Sequence, residues 1–69
     1  MKLRDLLNAA EFGRMIVLKT NSGHLIDRFS LNNHIEYTRK WEGIEPYLDR
    51  QVTLISTTVS NDLYIYILR

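Results

Sequence analysis

The chain is predicted to fold as a small α+β domain, one N-terminal helix packed on an antiparallel sheet of four or five strands. Three observations predict it. An apolar stripe of helical period opens the chain, β-rich runs joined by turn residues follow, and the last run is apolar on both faces.

The helix is expected over residues 2–11. Leu3, Leu6, Leu7 and Ala10 recur at i, i+3, i+4 and i+7 and so line one face, while Lys2, Arg4, Asp5, Asn8 and Glu11 fill the rest. Gly13 supplies a stop signal, because glycine tolerates the left-handed conformation that ends many helices. A helix this short is marginal in water and needs a sheet to pack on.

A hairpin comes next. Met15–Thr20 and His24–Ser30 are rich in β-formers, and Asn21-Ser22-Gly23 between them suits a three-residue loop with Gly23 left-handed. In a regular second strand Asp27 would share a face with Leu25 and Phe29. That awkward phase points to a bulge near the turn or to an edge position.

Residues 31–46 support two readings. Asn33-His34-Ile35-Glu36 has the spacing of a capping box, with Tyr37, Trp41 and Ile44 then along one side of a helix. Ile35, Tyr37, Arg39 and Trp41 also alternate with Glu36, Thr38, Lys40 and Glu42, and the Tyr, Thr and Trp content favours this strand reading. Gly43 breaks the pattern, and Pro46 can start a single helical turn through Leu48 and Asp49.

The final hairpin is expected over residues 51–57 and 62–68 around Val59-Ser60-Asn61-Asp62. On its last strand Leu63, Ile65 and Ile67 point one way, and Tyr64, Tyr66 and Leu68 the other. Such a strand needs cover on both sides, from its own domain or from another chain. The expected core is the helix stripe with Ile16, Leu18, Val52, Leu54, Ile65 and Ile67.

Composition narrows the function classes. Sixty-nine residues without cysteine make a single domain, 1–69, with neither a disulfide framework nor a thiolate metal site to staple it. Self-association is the remaining staple, and the Tyr64 and Tyr66 face is a candidate surface for it. The leucines near the N-terminus are interrupted by charges, and no apolar run approaches the roughly 20 residues that cross a bilayer. A cytoplasmic chain with no membrane partner is the expectation.

Catalysis and metal binding find little to build on. His24 and His34 lack the further ligands at suitable spacing that zinc requires, and they read as surface histidines. Ser22, Ser30, Ser56 and Ser60 stand in turns or near strand ends, outside any Gly-x-Ser-x-Gly elbow. Asp27, Asp49, Glu36, Glu42 and Glu45 read as solvated carboxylates, and no glycine-rich phosphate loop is present. These residues argue against an enzyme and against a cofactor.

Binding remains. Tyr37, Arg39, Lys40 and Trp41 combine aromatic and basic side chains, the types enriched at protein interfaces. The same types on a sheet face can stack bases and contact phosphates, which keeps a nucleic-acid-binding module as the alternative. A third reading is a self-assembling structural protein, and the plainest is that Tyr37 and Trp41 simply cap the core.

Met1-Lys2-Leu3-Arg4-Asp5-Leu6-Leu7, the Ile16–Phe29 hairpin and Tyr47-Leu48-Asp49-Arg50-Gln51-Val52 leading to Leu63-Tyr64-Ile65-Tyr66-Ile67 give the chain a familiar outline. It resembles short proteins encoded by phages and prophages of low-GC Gram-positive bacteria. It departs from them in a longer middle segment, about residues 31–44. The resemblance implies a bacterial host cell and a small binding protein, including inhibitors of host defence such as anti-CRISPR proteins. The implied partner is then a host protein such as a CRISPR effector nuclease. No functional residues come with the resemblance.

Nine basic residues against eight acidic ones leave a net charge of +1, too little to neutralise many phosphates. Duplex and single-stranded nucleic acid should therefore bind weakly or not at all. Fluorescence anisotropy at physiological salt checks this, and sub-micromolar binding that falls steeply with added salt would contradict it.

Overall fold

The computed structural model describes residues 1–32, 34, 37 and 41–69. Its elements are α1 (Leu3–Ala9), β1 (Arg14–Thr20), β2 (Leu25–Leu31), α2 (Trp41–Ile44) continuing into a 3₁₀ turn (Glu45–Tyr47), β3 (Val52–Thr57) and β4 (Leu63–Ile67). The α+β arrangement with an N-terminal helix on the sheet holds.

The sheet itself is mixed. Its order is β2-β1-β4-β3: the two hairpins are antiparallel as expected, but they join through a parallel β1–β4 pair at the centre. An antiparallel sheet throughout is thus corrected at this one junction. Strand periodicity shows which residues share a face and says nothing about which strands become neighbours.

Two hydrophobic faces meet between the sheet and the helical elements. Ile16 and Leu18 of β1 stand beside Leu63, Ile65 and Ile67 of β4, and Phe29 and Leu31 of β2 join them. Leu3 and Leu7 of α1, Ile44 of α2 and Leu48 close the cluster from above. Each fully buried side chain of this kind stabilises the fold by about 1.5–3 kcal/mol.

Helix α1 is shorter than the stripe implied. Ala10 is already extended, so the helix ends before Gly13, whose φ of 94° serves the turn into β1 instead. Its N-terminus is satisfied by tertiary bonds. The Leu3 and Arg4 N–H groups donate to the carbonyls of Arg50 and Leu48, and the Val52 N–H donates back to Met1. Donors that a cap would normally occupy are thereby spent on stitching the helix to the start of β3.

The two hairpin turns share one design. In Thr20-Asn21-Ser22-Gly23-His24 and Thr58-Val59-Ser60-Asn61-Asp62 the threonine hydroxyl contacts the serine hydroxyl and accepts the N–H four residues on. The fourth residue is left-handed in each, Gly23 at φ 93° and Asn61 at φ 67°. Glycine and asparagine are the residues that reach this region most readily.

Bulges account for the awkward phases. A register shift opposite Leu18 and Lys19 lies in β2, which is an edge strand, so both halves of the expectation for Asp27 hold. A second shift, between Val52 and Leu54, turns Leu54 to the opposite face from Val52. Leu54 is therefore 57% exposed and leaves the expected core. Val17, Phe29, Leu31, Ile44, Leu48 and Leu63 are the buried hydrophobic residues that the expected set omitted.

In the middle segment, Trp41 and Glu42 are helical, which overturns the strand reading at its C-terminal end. The rest of that alternation, including Ile35, Glu36, Thr38, Arg39 and Lys40, lies outside the described residues. Pro46 sits in the 3₁₀ turn, where its fixed φ and missing N–H cost nothing.

Leu48→Ala should cost about 2–5 kcal/mol, since the side chain is fully buried and leaves a cavity, whereas Leu54→Ala should cost well under about 1 kcal/mol. Urea unfolding of the two variants measures the difference.

Candidate functional site

The covered face of the sheet uses Ile16, Leu18, Leu63, Ile65 and Ile67, so the alternate residues of the same strands point the other way. The register places Arg28, Val17, Tyr64 and Ser56 in one row across the four strands. Lys19, Tyr66 and Leu54 form the next row, with Leu25 opposite Lys19 beyond the bulge. Met15 and Ser30 lie on the other side of Val17 and Arg28. Among the described residues, the buried side chains of the helical elements all belong to the other face.

This second face is apolar at its centre and basic in its charge. Val17 is buried among its neighbours, Tyr64 and Tyr66 are half-buried, and Leu54 is exposed. The Lys19 ammonium lies 5.3 Å from the Tyr64 ring centroid and 5.9 Å from that of Tyr66. A cation held over aromatic rings in this way contributes about 0.5–1 kcal/mol where it stays exposed to water. Lys19 and Arg28 are the charged residues among the strand positions named, and no carboxylate stands among them. Asp27 faces the covered side opposite Leu18; Asp5, Glu42 and Glu45 belong to the helical elements; and Asp62, paired with Thr58 just before β4, is a carboxylate at the margin of the second face.

Of the four residues singled out in the middle segment, the structure describes Tyr37 and Trp41. Trp41 is half-buried and packs against the hydrophobic cluster, so it acts first as a core residue. Tyr37 is 72% exposed and stands edge-on to His34, which stands edge-on to Phe12 at 5.6 Å between centroids. Arg39 and Lys40 lie outside the described residues. Tyr64 and Tyr66, named for self-association, lie together on the second sheet face with Lys19 between them. Sequence reasoning missed Lys19 and Arg28. Their signal was the strand alternation in β1 and β2, which becomes a shared face once β1 lies beside β4.

Among the described residues no cluster of histidine and carboxylate side chains could hold a metal ion. A shallow depression at one end of the sheet is lined by Thr20, His24, Leu25, Ile26, Tyr47, Leu68 and Arg69. The Thr20 hydroxyl there contacts the Ser22 hydroxyl and accepts the His24 backbone N–H, as part of the hairpin turn. Comparison with protein families, with curated proteins and with solved structures found no match.

Trp41→Ala should lower stability by about 1–3 kcal/mol, less than a fully buried tryptophan, while Tyr37→Ala should leave it within about 0.5 kcal/mol. Chemical denaturation of both proteins checks the separation. An unchanged Trp41→Ala midpoint would return Trp41 to the surface.

Proposed function

We propose that the protein is a non-catalytic binding domain that engages another protein through the second face of its sheet. The observation that carries this reading is the grouping of Tyr64, Tyr66, Leu54 and Val17 with Lys19 and Arg28 on a face that no described helical element covers. Aromatic and arginine side chains around an apolar centre are the usual anchors of protein interfaces. Two cations without a neighbouring carboxylate on the strands favour a partner that presents acidic groups there.

A nucleic-acid partner has less support. Lys19 lies over the two tyrosine rings that would have to stack bases, and two cations track little of a phosphate backbone. The resemblance to phage-encoded proteins is what suggests a host-defence nuclease as the target. In that reading the domain inhibits by occupying an acidic surface of the nuclease.

Lys19→Glu combined with Arg28→Glu should abolish capture of an acidic host protein by the tagged chain while the protein stays folded, its thermal midpoint lowered by about 4–8 °C at most through loss of the Lys19–tyrosine contacts. Truncating interface anchors of these kinds often costs about 2 kcal/mol or more, roughly 30-fold in affinity, and charge reversal adds repulsion. Equal capture by the reversed variant, or loss of capture only in Tyr37→Ala, would overturn the choice of face.

A further inference from the structure

The two edges of the sheet are built differently. On one edge, β2 carries a bulge and the charged pair Asp27 and Arg28, devices that discourage another strand from adding on. On the other edge, the run from Gln51 to Asn61 contains no charge and no proline. Leu54 and Ile55 there are 57% and 42% exposed. Among the described residues only the start of this edge is occupied, where Lys2 bridges Gln51 and the Val52 N–H donates to the Met1 carbonyl. From Thr53 to Thr57 no described strand lies alongside it.

Hydrogen-bond alternation fixes which backbone groups are free. The Thr58 N–H donates to the Asp62 carbonyl, and the register then steps back through Thr57↔Leu63, Ser56↔Tyr64 and Ile55↔Ile65. In an antiparallel ladder bonded and non-bonded pairs alternate, so Ser56 turns its N–H and C=O toward β4. Ile55 and Thr57 turn theirs outward.

We infer that β3 pairs with β3 of a second copy, antiparallel across a two-fold axis at Ser56, to make a continuous sheet through two domains. In that register Ile55 of each copy exchanges both backbone bonds with Thr57 of the other, and Ser56 lies opposite its own counterpart. Leu54 falls opposite Thr58, so every cross-strand pair is uncharged and the strand is complementary to itself, as a two-fold interface requires. The second sheet face is a poorer self-partner, because stacking it on its copy sets Lys19 and Arg28 against like charges without a strand carboxylate between them. Pairing at the edge also leaves that face free, so this inference is independent of the proposed partner.

The absence of native cysteine makes a direct test possible. Opposed residues of a non-bonded antiparallel pair have Cα atoms about 4.5 Å apart, within disulfide range. Ser56→Cys should therefore form a covalent dimer rapidly under mild oxidation, while Ser30→Cys on the guarded edge should not. Thr57→Pro removes an outward N–H without touching the β3–β4 ladder, so it should shift sedimentation to monomer with the circular dichroism spectrum retained. A wild-type chain that sediments as a monomer at high micromolar concentration would overturn the inference. Equal cross-linking of both cysteine variants, or an unchanged dimer in folded Thr57→Pro, would overturn it too.

Discussion

Everything in this fold depends on the parallel pairing of β1 with β4. Each hairpin is local and could form from its own turn, but a two-stranded hairpin is barely stable in water. The pairing of Ile16 to Thr20 with Leu63 to Ile67 fuses the two into a sheet wide enough to carry a core. It also puts β2 and β3 at opposite edges, running the same way. The chain between them must then travel back along the sheet, and that return places Ile44 and Leu48 over the central strands. Helix α1 is tied to the end of the same return through the carbonyls of Leu48 and Arg50. One pairing thus decides the strand order, the crossover and which face is covered.

Much of this was legible in the residues, for definite reasons. Leu3, Leu6, Leu7 and Ala10 announced the helix face, and Gly23 announced a turn, because both signals are local. Leu63, Ile65 and Ile67 announced a buried strand face by alternation. What was not legible is what two distant segments decide together. Leu54 looked like a core residue in phase with Val52 until a bulge reversed it. Trp41 supported both an interface reading and a core-capping one, and only its place in a helical turn shows it half-buried against the core. The candidate surface moved for the same reason. Lys19 and Tyr66 are 47 positions apart in the sequence, and only the parallel register makes them neighbours.

The sheet leaves a small domain with two unequal faces and two unequal edges. One face is spent on a core of leucine and isoleucine, which a chain without cysteine needs for stability. The other face keeps two tyrosines under a lysine, with an arginine one row away, and no described helical element covers it. One edge is guarded by charge and a bulge, and the other is uncharged and open. In the proposed reading, division of labour between the face and the edge would let one short chain bind a partner and pair with itself without competition.

The central claim is that the Tyr64 and Tyr66 face is uncovered in the free protein. A soluble paramagnetic probe added to the isolated chain tests it by nuclear magnetic resonance. The account predicts strong broadening of the Leu54, Tyr64 and Tyr66 side-chain signals, with Leu63, Ile65 and Ile67 spared. Equal protection of both sets would contradict it, since the second face would then be covered within the protein itself.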